Sequence, residues 1–282
     1  MKIAVMTDST AYIPSELREQ HHIHMVPLSV VFDDVSYREE IDLTTEEFYQ
    51  KMKESDELPT TSQPAVGDIV AKLEELAKDY DAVISIHLSA RISGTHQAVE
   101  SVGEMMKDDI KVYALDSELS ALPQGLLALS AAEMAKQDYT PEEIMEHLTE
   151  MKDRIRAYFM VDDLTNLHRG GRLSNAQAVI GSLLQIKPIL HFVDGVIVPF
   201  EKIRTRKKAI HRIQEMLEED IKKDKVAKIV FIHGNDEQAA LDLKEQIAKK
   251  HPDIESMIGY FGPVIGTHLG EKSLGISWYP KL

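Results

Sequence analysis

Short apolar runs alternate with amphipathic helical stretches along most of this sequence, and that alternation limits the fold more than any other feature. The runs KIAVM, AVISIHL and KVYAL are short and mostly apolar, so they read as buried strands. Between them, QPAVGDIVAKLEELAKDY carries Val66, Ile69, Val70, Leu73 and Leu76 on one helical face. Strands that alternate with helices of this length imply parallel pairing, with helices covering the sheet. MVPLSVVF reads as a further strand with Pro27 at its start or on an edge. Helix starts are marked by Thr44 with Glu47, and by Thr140 with Pro141 and Glu143.

After Ile155 the pattern changes. YFMVDDL, KPILHF and GVIVPFEKI are strand-like, and VDG between the last two signals a tight hairpin. A helical stretch from about Arg206, the strand KIVFIHG, the helix DEQAALDLKEQIAKKH and the strand GISWY follow. The expectation is a two-domain α/β chain, divided as residues 1–156 and 157–282. The first domain is a parallel αβα sandwich, and the second an α/β domain with a mixed, partly antiparallel sheet. No proline-rich linker separates them, so the lobes are expected to pack closely and leave a cleft.

The chain has 282 residues, enough for two ordinary cores, and 43% of them are apolar. Lys and Arg total 32 against 47 Asp and Glu, a formal charge of −15. That balance repels polyanions and excludes general nucleic-acid binding. Cysteine is absent, which removes disulfides, thiolate metal sites and cysteine nucleophiles together. No uncharged apolar run approaches ~18 residues, and MKIAVMTDST is too short in apolar residues for a secretion signal. A cytoplasmic protein with no stable membrane insertion is expected.

In open parallel sheets, ligands sit beyond the carboxyl ends of the strands. TDST, TTSQP, SARISGT and LDSELSA fit that position. Thr61 and Ser62 precede a helix entered at Pro64, and Ser93, Gly94 and Thr95 precede the helix HQAVESVGEMM. Free N–H groups, a positive dipole end and a hydroxyl make each place a cradle for a carboxylate or phosphate oxygen. Taken singly, each also reads as an ordinary N-cap.

His268, in GPVIGTHLGEKSLG, is flanked by glycines that permit close approach. It reads as an anion donor or proton shuttle, or as a hydrogen-bonded structural histidine. HHIH places His22 and His24 on one face if extended, but no carboxylate accompanies them and no metal is expected. NLHRGGRLSN sets Arg169 and Arg172 either side of two glycines, and EKIRTRKKA gathers Arg204, Arg206, Lys207 and Lys208. One such run is usually a solvated helix start; two in one lobe of an acidic chain suggest a specific anion or an acidic partner surface.

The block LHRGGRLSNAQAVIGSLLQIKPILHFVDGVIVPFEKIRTRKKA resembles the central signature of the DegV family of bacterial fatty-acid-binding proteins. TDST, TTSQP, SGT, LDS and GPVIGTHLG are similar to its other motifs, in the same order, so the resemblance spans nearly the whole chain. It implies one long-chain fatty acid, palmitate or oleate for example, in an apolar tunnel between the lobes. A separate fatty acid kinase would phosphorylate the bound carboxyl group, and the acyl phosphate would leave towards phospholipid synthesis. By motif, Thr61 and Ser93 would bind the carboxylate with His268 beside it, supported by Ser62, Gly94 and Thr95. Arg169, Arg172 and Arg204 would face the kinase or the transferred phosphate. Ile180, Leu183, Leu184 and Ile186 are candidates to line the tail.

Three positions depart from the family pattern. His96 follows SGT where an aromatic residue is common, GEK with Glu271 stands where GPG is common, and Pro123 interrupts the segment after LDS. The alternative is an enzyme or sensor acting on a small phosphorylated or carbonyl metabolite through Ser93 and His268. The lobe pattern is also similar to dihydroxyacetone-kinase substrate domains. Against an enzyme, the sequence has no nucleotide loop and no evident acid to orient His268.

Overall fold

The computed structural model describes residues 1–55, 57–173, 187–223 and 226–279. The chain forms two compact units, one of Met1–Thr44 with Thr61–Asp153, the other of Thr45–Thr60 with Arg154–Leu282.

The strands are β1 (Ile3–Asp8), β2 (Ile23–Val26), β3 (Ser29–Phe32), β4 (Val35–Arg38), β5 (Thr60–Ser62), β6 (Ala82–His87) and β7 (Lys111–Asp116), then β8 (Arg156–Met160), β9 (Ile189–Val193), β10 (Val196–Glu201), β11 (Lys228–His233), β12 (Glu255–Tyr260) and β13 (Leu274–Tyr279). In the first unit, β2-β1-β6-β7 form a sheet with every pairing parallel. Ala4, Met6 and Val83 on one face pack against Ile69, Leu73 and Leu76 of the helix Val66–Leu76 and Val99 and Val102 of the helix Thr95–Met105. Val66, expected on that face, is exposed on the first turn. Alternation turns Thr7 and Ile86 to the other face, where they meet Gln124 of the helix Leu122–Lys136. That helix buries most of its circumference, as Leu122, Leu126, Leu127 and Leu129 require, at about 2 kcal/mol per buried leucine. Its Pro123 falls in the first turn, where the missing N–H has no helical partner to lose.

MVPLSVVF is not one strand. It divides into β2 and β3 at Pro27 and Leu28, and the halves join different sheets, β3 lying between β4 and β5. Proline has no N–H for a ladder and constrains the residue before it, so the run breaks there.

The second unit holds the mixed sheet β10-β9-β8-β13-β11-β12, in which β11 and β12 are parallel and the other pairs antiparallel. Asp194 and Gly195 turn the β9 to β10 hairpin with φ of 48° and 76°, as a two-residue primed turn demands. The helices Arg206–Lys222 and Glu237–Lys250 pack Ile213, Leu217, Leu243 and Ile247 against Ile229, Phe231, Ile276 and Trp278. Among the described residues no helix is long and apolar enough to cross a membrane.

Candidate functional site

The strand ends of the first unit carry a buried polar network. Asp8 ends β1 and His87 ends the neighbouring β6, so pairing sets them side by side. His87 Nδ1 lies 3.0 Å from Asp8 Oδ2, and His87 Nε2 lies 2.6 Å from Ser85 Oγ. Asp8 also accepts from the Leu88 N–H, the Thr10 N–H and the Thr10 hydroxyl. Burial pushes the Asp8 carboxyl up, but the bond to His87, its charge and these donors outweigh that and hold it below the usual carboxylate value. Ser9 Oγ donates to the buried Glu39, and Thr10 Oγ1 lies 3.1 Å from Gln124 Oε1. Every side chain of TDST is thus buried. This network braces the loops, and two neighbouring loops carry further hydroxyls.

Those neighbours are TTSQP and SARISGT. Thr61 and Ser62 lie in β5, and the helix begins at Val66 after Ala65, not at Pro64. Ala65 and Gly94, the residues at the two helix starts, make no side-chain cap. Ser93 Oγ instead accepts from the Thr95 N–H at 3.3 Å and lies 2.9 Å from Thr95 Oγ1. The hydroxyls at 61 and 62 thus lie outside the helix starts, and that at 93 satisfies the first helical N–H from one residue before the start. Gly94 brings the two loops together: a Cβ there would stand 2.1 Å from Gln63 Oε1. Glycine there leaves room for the end of the Gln63 side chain to lie across the start of the second helix. The result is two hydroxyl-bearing loops side by side at a helix N-terminus, a setting suited to a carboxylate.

In the second unit, the helix Thr165–Arg169 runs into the RGGR turn. Its two glycines serve different ends. Gly171 has φ 68°, a left-handed conformation that side chains resist. Gly170 has an ordinary φ of −70°, but a Cβ there would lie 2.3 Å from His268 Nδ1. Gly170 is thus the flat surface against which the imidazole packs. His268 sits on the helix Pro263–Leu269 at 8% exposure. Burial, reinforced by the positive charge of Arg172, pushes its pKa down to about 4. The imidazole is neutral at physiological pH and faces a cation, a setting that favours an arriving anion.

Arg172 is half-buried and donates to the Gly170 carbonyl. Arg169 and Arg204 are exposed and have no ion-pair partner among the described residues, whereas Arg206 pairs with Asp236 at 2.7 Å. Glu271, the residue of the GEK departure, is matched by Lys53 at 2.8 Å. Ile180, Leu183, Leu184 and Ile186 lie outside the described residues. Among the described residues no group of three or more His, Cys, Asp or Glu could hold a metal ion. Gln63, Ser85, His87 and Gln124 were not singled out by the sequence. The one signal was ISIH, which sets Ser85 and His87 on the same side of an otherwise apolar strand.

The model of the family DegV, described as "Uncharacterised protein, DegV family", matches residues 2–281. Protein DegV of Bacillus subtilis (strain 168) is 59% identical over 279 residues, 99% of each chain. The crystal structure of DegV, a fatty acid binding protein from Bacillus subtilis, superimposes with a TM-score of 0.95 at 58% identity, covering 100% of both chains. A fatty-acid-binding DegV family protein from Thermus thermophilus gives 0.92 at 30% identity, again over 100% of both chains. By sequence and by fold, this chain belongs to the DegV family.

Proposed function

We propose that this chain is a cytoplasmic lipid carrier that binds one long-chain fatty acid. Thr61 and Ser93 hold the carboxylate, with Ser62, Gly94 and Thr95 shaping the loops and His268 beside it. The tail occupies an apolar tunnel. The observation that carries this reading is the pair of hydroxyl loops joined across Gly94, in a chain 58% identical to a fatty acid binding protein. Hydroxyls and helix N–H groups suffice for the headgroup, because a tail at ~0.8 kcal/mol per buried CH₂ supplies most of the affinity. The carrier presents the carboxyl group to a separate fatty acid kinase, and Arg169, Arg172 and Arg204 face that partner or the transferred phosphate. The exposure of two of these cations in an acidic chain supports the assignment.

Mass spectrometry of an organic extract of the natively purified protein tests the reading. One fatty acid near one equivalent supports it. An empty extract with no uptake of added palmitate or oleate overturns it in favour of a small-metabolite enzyme or sensor. The double variant Thr61→Val, Ser93→Ala should weaken fatty-acid binding on the order of a hundredfold by removing two bonds to a charged group. Unchanged affinity by calorimetry would remove both residues from the site.

A further inference from the structure

β13 has two unlike faces. Leu274, Ile276 and Trp278 point into the core under the helices Arg206–Lys222 and Glu237–Lys250. Alternation sends Gly275 and Ser277 to the opposite face. There the cross-strand neighbours of Gly275 are Phe159 and Ile232, and those of Ser277 are Ala157 and Val230. Gly275, Ser277 and Ala157 thus form a strip of small residues between larger apolar ones. Phe261 closes one end, since a Cβ on Gly275 would lie 3.2 Å from its ring.

Ser277 is 1% exposed, and its hydroxyl has no hydrogen-bond partner among the described residues. A donor left unmatched inside an apolar strip is costly and rare, and neither packing nor strand propensity asks for serine here. Its place matters too. Ser273, just before β13, donates to the Gly270 carbonyl at the end of the helix that carries His268, and Ser277 lies four residues, about 13 Å, further along the chain. That is a mid-chain depth for a long tail whose carboxylate sits beside His268.

We propose that this strip is part of the surface over which the acyl tail lies, and that Ser277 selects tails with a hydrogen-bond acceptor near mid-chain. The inference rests on the fatty-acid reading above. The shared chemistry is an acceptor without a donor of its own, supplied by the π electrons of a cis double bond or by a carbonyl oxygen.

Dissociation constants of the delipidated full-length protein for stearate, oleate and 12-ketostearate distinguish these sources. The wild type should bind the keto acid about fivefold tighter than stearate and oleate about twofold tighter. In Ser277→Ala, checked for an unchanged fold by circular dichroism, both ratios should fall to about one. Preference for oleate alone or for the keto acid alone, lost in Ser277→Ala, supports the proposal and names the source. Equal affinities in the wild type, or ratios that survive Ser277→Ala, overturn it. Failure of the wild type to bind any of the three overturns the fatty-acid reading itself.

Discussion

His87 and His268 are both buried, one in each unit, and their surroundings are opposite in character. His87 lies between the Asp8 carboxylate and the Ser85 hydroxyl, so both ring nitrogens are engaged inside the protein. His268 lies against the flat surface of Gly170 with the charge of Arg172 nearby, and is held neutral. Burial alone therefore does not set a histidine's character. The sign of the neighbouring charge does.

The largest effect should come from breaking the first environment. Asp8→Ala leaves donors from Thr10, Leu88 and His87 unmatched and should cost about 3–5 kcal/mol of unfolding free energy. A loss under about 1 kcal/mol in urea denaturation would deny the network its bracing role.

The second environment should show as pH dependence. The folded His268 pKa is depressed from 6.5 to about 4, so between those values the unfolded chain takes up a proton that the folded one refuses. Stability is then full above about pH 6.5 and falls as pH drops towards 4, by on the order of 3 kcal/mol. His268→Gln should flatten this part of the stability-against-pH curve; an unchanged slope would assign it to other groups.

A smaller effect separates the two glycines. Gly170→Ala must displace the His268 ring and should cost about 1–3 kcal/mol, with the His268 pKa rising as the ring moves outwards. Gly171→Ala meets open space and only the backbone penalty of about 1–2 kcal/mol, with the His268 titration unmoved by NMR.

Local rules explain what could be read before the structure. Thr140 and Glu143 form the capping box that their spacing announces, and VDG makes its hairpin because both turn residues accept positive φ. MVPLSVVF misled because a two-residue break can send one apolar run into two sheets, and only the pairing partners decide that. The Asp8 and His87 pair joins residues 79 apart, so no window on the sequence contains it. Gln63 is hidden for the same reason: its place across Gly94 depends on the packing of two loops.

The segment Thr45–Thr60 is made early but belongs to the second unit. Its Tyr49 hydroxyl donates to the Phe261 carbonyl, 212 residues later, and a Cβ on Gly266 would lie 2.9 Å from its Phe48 ring. At ordinary ribosomal speed, roughly 10–40 s separate the emergence of Tyr49 from that of its acceptor. Two aromatic side chains wait through that interval without their native cover. Nascent chains stalled before residue 261 should therefore recruit chaperones at this segment, and release of the last strands should end that dependence.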